Sequence, residues 1–387
     1  MQGKNIMLLK DLCNDFKKDI VDGPFGANLK REHYTSSGIP VLKIQNVKPF
    51  AITLKKMDFV KPDKYEELKR HSYQSGDIIM TKLGDPLGES AIADGIDDGL
   101  IVADLVRIRA SKVDTRYLCY HLNSPVTQTF INEQQKGTTR PRVRISVVRE
   151  LPIFTPPISE QKRIVSILDK AFAAIDEAKA KTEQNLKNAR ELFDSYLQQV
   201  FSQRGEGWVD LKIGEILTLE YGKPLDKSDR KKDGLYPAYG ANGIKARTNN
   251  YYCEKESIIV GRKGSAGELT LTENRYWPLD VTYFVEFDKM KYHLKFIYYM
   301  LSKLNLPSLA TGVKPGINRN VVYSIKVSIP PIEEQKSVAI VLDKLSRKIQ
   351  RLEGIYKKKI ESTDQLKKSL LQKAFSGELT SSKGEAA

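Results

Sequence analysis

Between residues 136 and 149 the chain reads KGTTRPRVRISVVR, which places Lys136, Arg140, Arg142, Arg144 and Arg149 ahead of the first carboxylate, Glu150. Closely spaced guanidinium groups with no acid among them suit bonding to phosphate oxygens. They also suit forking onto the acceptor edge of guanine in a major groove. A second segment, ATGVKPGINRNVVY at 310–323, carries Lys314, Asn318 and Arg319, and asparagine matches an adenine edge. Lys43, Gln45 and Asn46 in LKIQNVK and Lys82 in TKLGD are candidates for the same chemistry. The second half adds Arg230, Lys231, Lys232, Tyr239, Asn242, Lys245, Arg262 and Lys263, several of them in YPAYGANGIKAR, whose mix of Tyr, Gly, Asn and basic residues fits a loop shaped to a groove. Each has a plainer alternative. A surface lysine is usually just solvated, and Asn318 with Arg319 would cap and brace its own loop.

The bulk charge points the same way. Sixty-three Lys and Arg against 48 Asp and Glu give a net +15, an excess that seeks a polyanion, nucleic acid first. Catalytic signatures are missing. No GxxxxGK[ST] occurs, the glycines of GRKGSAGE lack the spacing that cradles phosphate, and no strand–GxGxxG–helix unit appears. Cys13, Cys119 and Cys253 form no CxxC, and His33, His71, His121 and His293 are scattered, so neither a disulfide framework nor a metal site is expected. Asp63 and Glu67 in PDKYEELK read as the charged face of a surface helix rather than a nuclease centre. TPPI at 155–158 lacks the Asn and the aromatic of the DNA amino-methyltransferase motif. The chain is expected to catalyse nothing alone and to need no cofactor. It has no apolar run near the ~20 residues of a membrane span, and MQGKNIMLLK is no signal peptide, so a reduced, cytoplasmic protein with no membrane contact is expected.

The elements that must carry these residues are duplicated. PPISEQK occupies 156–162 and PPIEEQK occupies 330–336, and Gln161 and Gln335 stand 174 positions apart. The same offset aligns Leu168-Asp169-Lys170 with Leu342-Asp343-Lys344 and Phe201-Ser202 with Phe375-Ser376, without a gap. A period this long marks a duplicated domain, not a solenoid unit. After each Pro-Pro, apolar or small residues recur in steps of four and three. The first copy has Ile164, Leu168, Ala171, Ile175, Leu186 and Phe193; the second has Val338, Leu342, Ile349, Leu352, Tyr356 and Leu370. In the second copy Lys367 breaks the seam, and Leu366 is expected to substitute. That spacing is a coiled-coil seam, and about 40 such residues span about 60 Å. Proline turns the chain into each helix, and Glu160 and Glu334 sit near its positive end.

Residues 1–150 and roughly 208–325 instead hold short β-branched runs broken by Gly, Asn, Asp and Pro, with shorter helical stretches RYLCYHLNSPVTQTFI and LKFIYYMLSKL. DIIMTKLG at 77–84 matches SIIVGRKG at 257–264 at an offset of 180, so insertions separate the two blocks. In both halves a basic loop is expected just before the strand that leads into Pro-Pro.

With the repeat established, the chain resembles the specificity subunit of Type I restriction–modification systems. The likeness rests on TPPISEQK, IPPIEEQK, LLQKAFSGELT (370–380), YPAYGANGI (236–244), IIVGRKGSAGE (258–268) and TGVKPGINRNVV (311–322), and with the block order it covers nearly the whole chain. The resemblance implies an α+β fold. Two similar target-recognition domains with β-rich cores are joined by two long helices that form an antiparallel coiled coil, giving an internal pseudo-twofold. On that plan residues 1–154 and 206–328 are recognition domains, 155–205 and 329–380 are helical regions, and 381–387 is a tail without fixed structure. The resemblance also implies its partners: double-stranded DNA with a bipartite site, two adenine-modifying subunits, and restriction subunits in the full complex. One departure is visible. Where 316–319 reads Gly-Ile-Asn-Arg, 142–145 reads Arg-Val-Arg-Ile. The alternative is a coiled-coil scaffold whose variable domains bind proteins.

Overall fold

The computed structural model describes residues 5–85, 87–137, 141–376 and 378–379, so Arg140 and the expected tail at 381–387 lie outside the described residues. The chain divides into two compact units, residues 1–181 with 359–387 and residues 182–358, and the division falls inside both long helices.

The first unit is built on an antiparallel sheet ordered Ser90–Ile92, Ile78–Thr81, Leu105–Ile108, Ile20–Asp22. All four residues of Ile78–Thr81 and of Leu105–Ile108 are buried, as expected for central strands covered on both faces. One face packs on helix Thr115–Leu122, which Asp114 caps by accepting from the Tyr117 amide. The sequence reads RYLCYHLNSPVTQTFI as one helical stretch. The structure breaks it into Thr115–Leu122 and Pro125–Gln134, because Ser124 caps a new start and Pro125 cannot continue the old one. A second sheet contains Ile39–Leu42, flanked by antiparallel Asp58–Val60 and parallel Gly99–Ile101.

The second unit repeats this plan with different residues. Its antiparallel sheet is ordered Leu269–Leu271, Ile258–Gly261, Thr282–Phe287, Leu217–Tyr221, and helix Leu294–Lys303 covers it. Its second sheet centres on Tyr236–Gly240, flanked by antiparallel Gly243–Thr248 and parallel Trp277–Pro278. Each unit also pairs its first strand with the strand before Pro-Pro: Ile6–Leu8 with Pro152–Phe154, and Val209–Lys212 with Lys326–Ile329.

The long helices are Ile158–Ser202 and Ile332–Ser376, each starting directly after Pro-Pro. They run antiparallel within each unit. In the first, Asp176 pairs with Lys367 and Lys179 with Asp364, so numbers climb on one helix as they fall on the other. In the second, Arg190 meets Glu353, while Leu197 shares a cluster with Leu342. Ile164, Leu168, Ile175, Leu342 and Ile349 are buried; Leu186, Phe193, Val338 and Leu370 are half-buried.

The seam departs from the apolar pattern in three places. Leu352 is 37% exposed and Glu353 turns toward Arg190 instead. Leu366 is 49% exposed, and Lys367 holds the seam position by laying its ammonium 4.9 Å over the Phe172 ring and pairing with Asp176. On the first helix Phe172, rather than Ala171, is buried, edge-on to Phe50 and Tyr120. At each of these places the seam position shifts by one residue along the helix from the expected apolar one. A long polar side chain that lays its stem inward and its charge outward fills a seam position as leucine would.

Candidate nucleic-acid interface

In each unit the central strand runs out into a loop that is clasped by the basic segment. In the first, the Val143 amide donates to the Lys82 carbonyl and the Gly84 amide to the Pro141 carbonyl, both at 2.9 Å, around a Leu83–Arg142 bridge. In the second, Ile317 donates to Arg262 and Gly264 to Pro315, both at 3.1 Å, around a Lys263–Gly316 bridge. The strand-side residues differ by 180 and the loop-side residues by 174, so both sequence offsets meet in one backbone arrangement. Gly84 (φ +107°) and Gly264 (φ +80°) both take the left-handed turn that other residues resist. Arg142 also exchanges both backbone hydrogen bonds with Lys136, and Gly316 with Thr311.

The expected strand does not follow the basic loop directly. A single short helix intervenes, Ile145–Arg149 in the first unit and Arg319–Tyr323 in the second, because Val148 and Val322 are each buried as anchors.

The clasp displays its cations unequally. Arg142 and Arg144 are exposed and, with Lys82 and Asp104, edge a cleft of about 360 Å³. The Lys82 ammonium is 2.5 Å from Asp22. Lys263 and Lys314 are exposed, and the Arg262 and Arg319 guanidinium groups lie 5.3 and 5.0 Å over the Tyr221 ring. Asn318 caps its short helix by accepting from the Asn320 amide at 2.9 Å, the structural role anticipated beside its reading role. Arg149 turns inward, donating to the Ile20 carbonyl.

The second sheets supply a further matched pair. Counting from the parallel partners, Val41 opposite Leu100 and Ala238 opposite Trp277, Gln45 and Asn242 fall at the same place, and both are exposed. Lys245, Arg230, Lys231 and Lys232 are exposed around the second hairpin, and Arg230 donates to the Leu225 carbonyl. Three further candidates near these second sheets also face inward or are engaged. Asn46 is fully buried, donating to the Thr53 and Lys55 carbonyls and accepting from the Lys43 amide. Tyr239 is 3% exposed and its hydroxyl accepts from the Glu273 amide. Lys43 pairs with Asp58 beneath the Tyr34 ring. The buried Asn46 amide and Tyr239 hydroxyl are hydrogen-bonded, which ties them to the scaffold.

The PPIxEQK motif positions the units on their helices. Gln161, 2% exposed, accepts from the Asp114 amide at the start of Thr115–Leu122 and donates to the Pro156 carbonyl. Gln335, 1% exposed, accepts from the His293 amide at the start of Leu294–Lys303 and donates to the Pro330 and Lys291 carbonyls. Two turns further on in each helix, Asp169 accepts from the Tyr120 hydroxyl and Asp343 from the Tyr299 hydroxyl, both at 2.7 Å. Burial works to raise the Asp343 carboxyl, but hydrogen bonds from Lys295 and Tyr299 outweigh it and hold its pKa below the usual value. Burial pushes the Cys13 and Cys119 thiols up to about 12, which leaves neither reactive.

Sequence reasoning passed over Asp22 and Tyr221. The signal available was the glycine after each: a Cβ on Gly23 would lie 2.1 Å from the Val102 carbonyl carbon, and one on Gly222 would lie 2.1 Å from the Leu279 oxygen.

A chain with two clasped, cation-bearing β units on paired antiparallel helices has the build of a duplicated DNA reader. Residues 9–188 and 205–362 match the family described as Type I restriction modification DNA specificity domain, and the chain belongs to that family. It is 24% identical over 349 residues to the type I restriction enzyme MjaVIII specificity subunit of Methanocaldococcus jannaschii, covering 78% of this chain and 79% of the relative. Among solved structures, one reported for complex assembly and conformational transition of the type I R-M system matches 98% of this chain and 99% of its own, with TM-score 0.78 at 17% identity. The HsdS subunit of Thermoanaerobacter tengcongensis matches 98% of each chain with TM-score 0.56 at 18% identity.

Proposed function

We propose that the chain reads a split DNA sequence for a type I restriction–modification assembly, each unit touching its own short tract through its clasp. The observation that carries this reading is the clasp itself. One backbone frame occurs twice, and the side chains it displays differ: Arg142 against Gly316, Arg144 against Asn318, Lys82 against Arg262 and Gln45 against Asn242. A repeated frame with exchanged polar groups is what two different base sequences require of one fold. Arg142, Arg144, Lys263 and Lys314 supply phosphate contact, with Gln45 and Asn242 beside them as groups for base edges.

The chain is non-catalytic by itself on this reading and works in the cytoplasm. It docks two modification subunits, which carry the methyl donor, and restriction subunits in the full complex. Family membership and the type I names of its relatives support those partners. Among the described residues, no feature of either clasp favours the protein-binding scaffold. Mapping methylated adenines in the source genome with and without this gene tests the proposal. Loss of methylation at one bipartite sequence is expected; an unchanged methylation map would refute it.

A further inference from the structure

Strand register places Asp22 and Tyr221 at the same point of their sheets. Val106 lies between Asp22 and Met80, and Tyr283 lies between Tyr221 and Val260. Two residues beyond Met80 and Val260 stand Lys82 and Arg262, the clasp residues that face these positions. What each cation meets is opposite in kind. Lys82 meets a carboxylate at 2.5 Å, with the two side chains 19% and 31% exposed. Arg262 lies over the Tyr221 ring, as Arg319 does, and donates to the Asp280 carbonyl at 2.6 Å. Arg319 donates to the Leu219 carbonyl at 3.3 Å. Among the described residues neither arginine has a carboxylate within ion-pair distance.

We infer that Asp22 is an electrostatic brake on the first clasp and Tyr221 a rack for two cations on the second, so that the two halves grip phosphate with unequal charge. The inference rests on the DNA-reading proposal above. A phosphate approaching Lys82 must displace Asp22 and meet its negative charge, so the pair adds little to counterion release. An aromatic face holds a guanidinium in place without neutralising it, leaving Arg262 and Arg319 free to do so. Tyr221 is thus a positioning residue. The inequality makes the second half the natural first point of engagement, with the first half dependent on its Arg142 and Arg144.

The test is binding of the chain, in complex with its modification subunits, to a long random-sequence duplex across a salt series. Asp22→Asn keeps the shape and removes the brake; the slope of log K against log salt is expected to steepen by about 0.9, one phosphate's worth. Tyr221→Leu is expected to weaken binding about three- to tenfold at fixed salt, and Tyr221→Phe, which keeps the ring, to restore it. Both positions are partly exposed, so these changes leave the cores intact. A slope unmoved by Asp22→Asn, or equal loss in Tyr221→Leu and Tyr221→Phe, overturns the inference while salt-dependent binding by the unsubstituted complex upholds the DNA reading. Absence of such binding in the unsubstituted complex overturns both.

Discussion

Gln161 and Gln335 do the same job in their own units: a buried amide accepts from the first amide of the covering helix and donates to the Pro-Pro carbonyl. Removing that acceptor leaves a buried backbone N–H unpaired, which costs roughly 1–3 kcal/mol. Gln335→Ala is therefore expected to speed amide exchange in the first turn of Leu294–Lys303 by about five- to hundredfold, with little change in the other unit. Equal exchange in the variant would remove the motif's helix-docking role. His121 offers a pH test. It is 2% exposed, its Nε2 accepts from the Phe154 amide and its Nδ1 lies 3.0 Å from Thr127, so burial lowers its pKa to about 4. The unfolded chain, with an ordinary histidine pKa of about 6.5, binds the proton first. Stability of the first unit should fall as pH drops from about 6.5 toward 4, by up to about 3 kcal/mol, and stay level above that window. Urea midpoints at several pH values check this, and His121→Gln should flatten the fall.

At the level of elements, the long helices, the duplicated blocks and the Pro-Pro starts were legible because each follows a local rule: a heptad step, turn residues, a missing amide. The seam was misread at Leu352 and Leu366 because hydropathy ignores the snorkelling of Glu353 and Lys367, whose partners Arg190 and Asp176 lie far off in sequence. The short helix after each basic loop was missed because five residues leave too little periodicity to read. Asn46 and Tyr239 look like groove residues in composition, and only tertiary hydrogen bonds tie them inside. The clasp was half visible: the basic loop stood out, but its pairing with 82–84 and 262–264 needed strand register. Each long helix holds 45 residues. Four residues inserted into both would lengthen the pair by about 6 Å, or about two base-pair steps of 3.4 Å. The methylated site should gain one or two base pairs between its halves. An unchanged spacing would deny the helices a measuring role.

For the whole molecule, duplication within one chain achieves what symmetric dimers achieve with two, but frees the halves to differ. A homodimer presents identical readers and so favours palindromes. Here the frame is shared and the displayed groups are not. The most direct test is hydroxyl-radical footprinting of the complex on a duplex carrying the mapped methylation sequence, unsubstituted and with Arg142→Ala plus Arg144→Ala. Two protected tracts separated by accessible base pairs are expected, and the double variant should lose protection in one tract while keeping the other. A single continuous tract, or equal loss from both, would contradict the account.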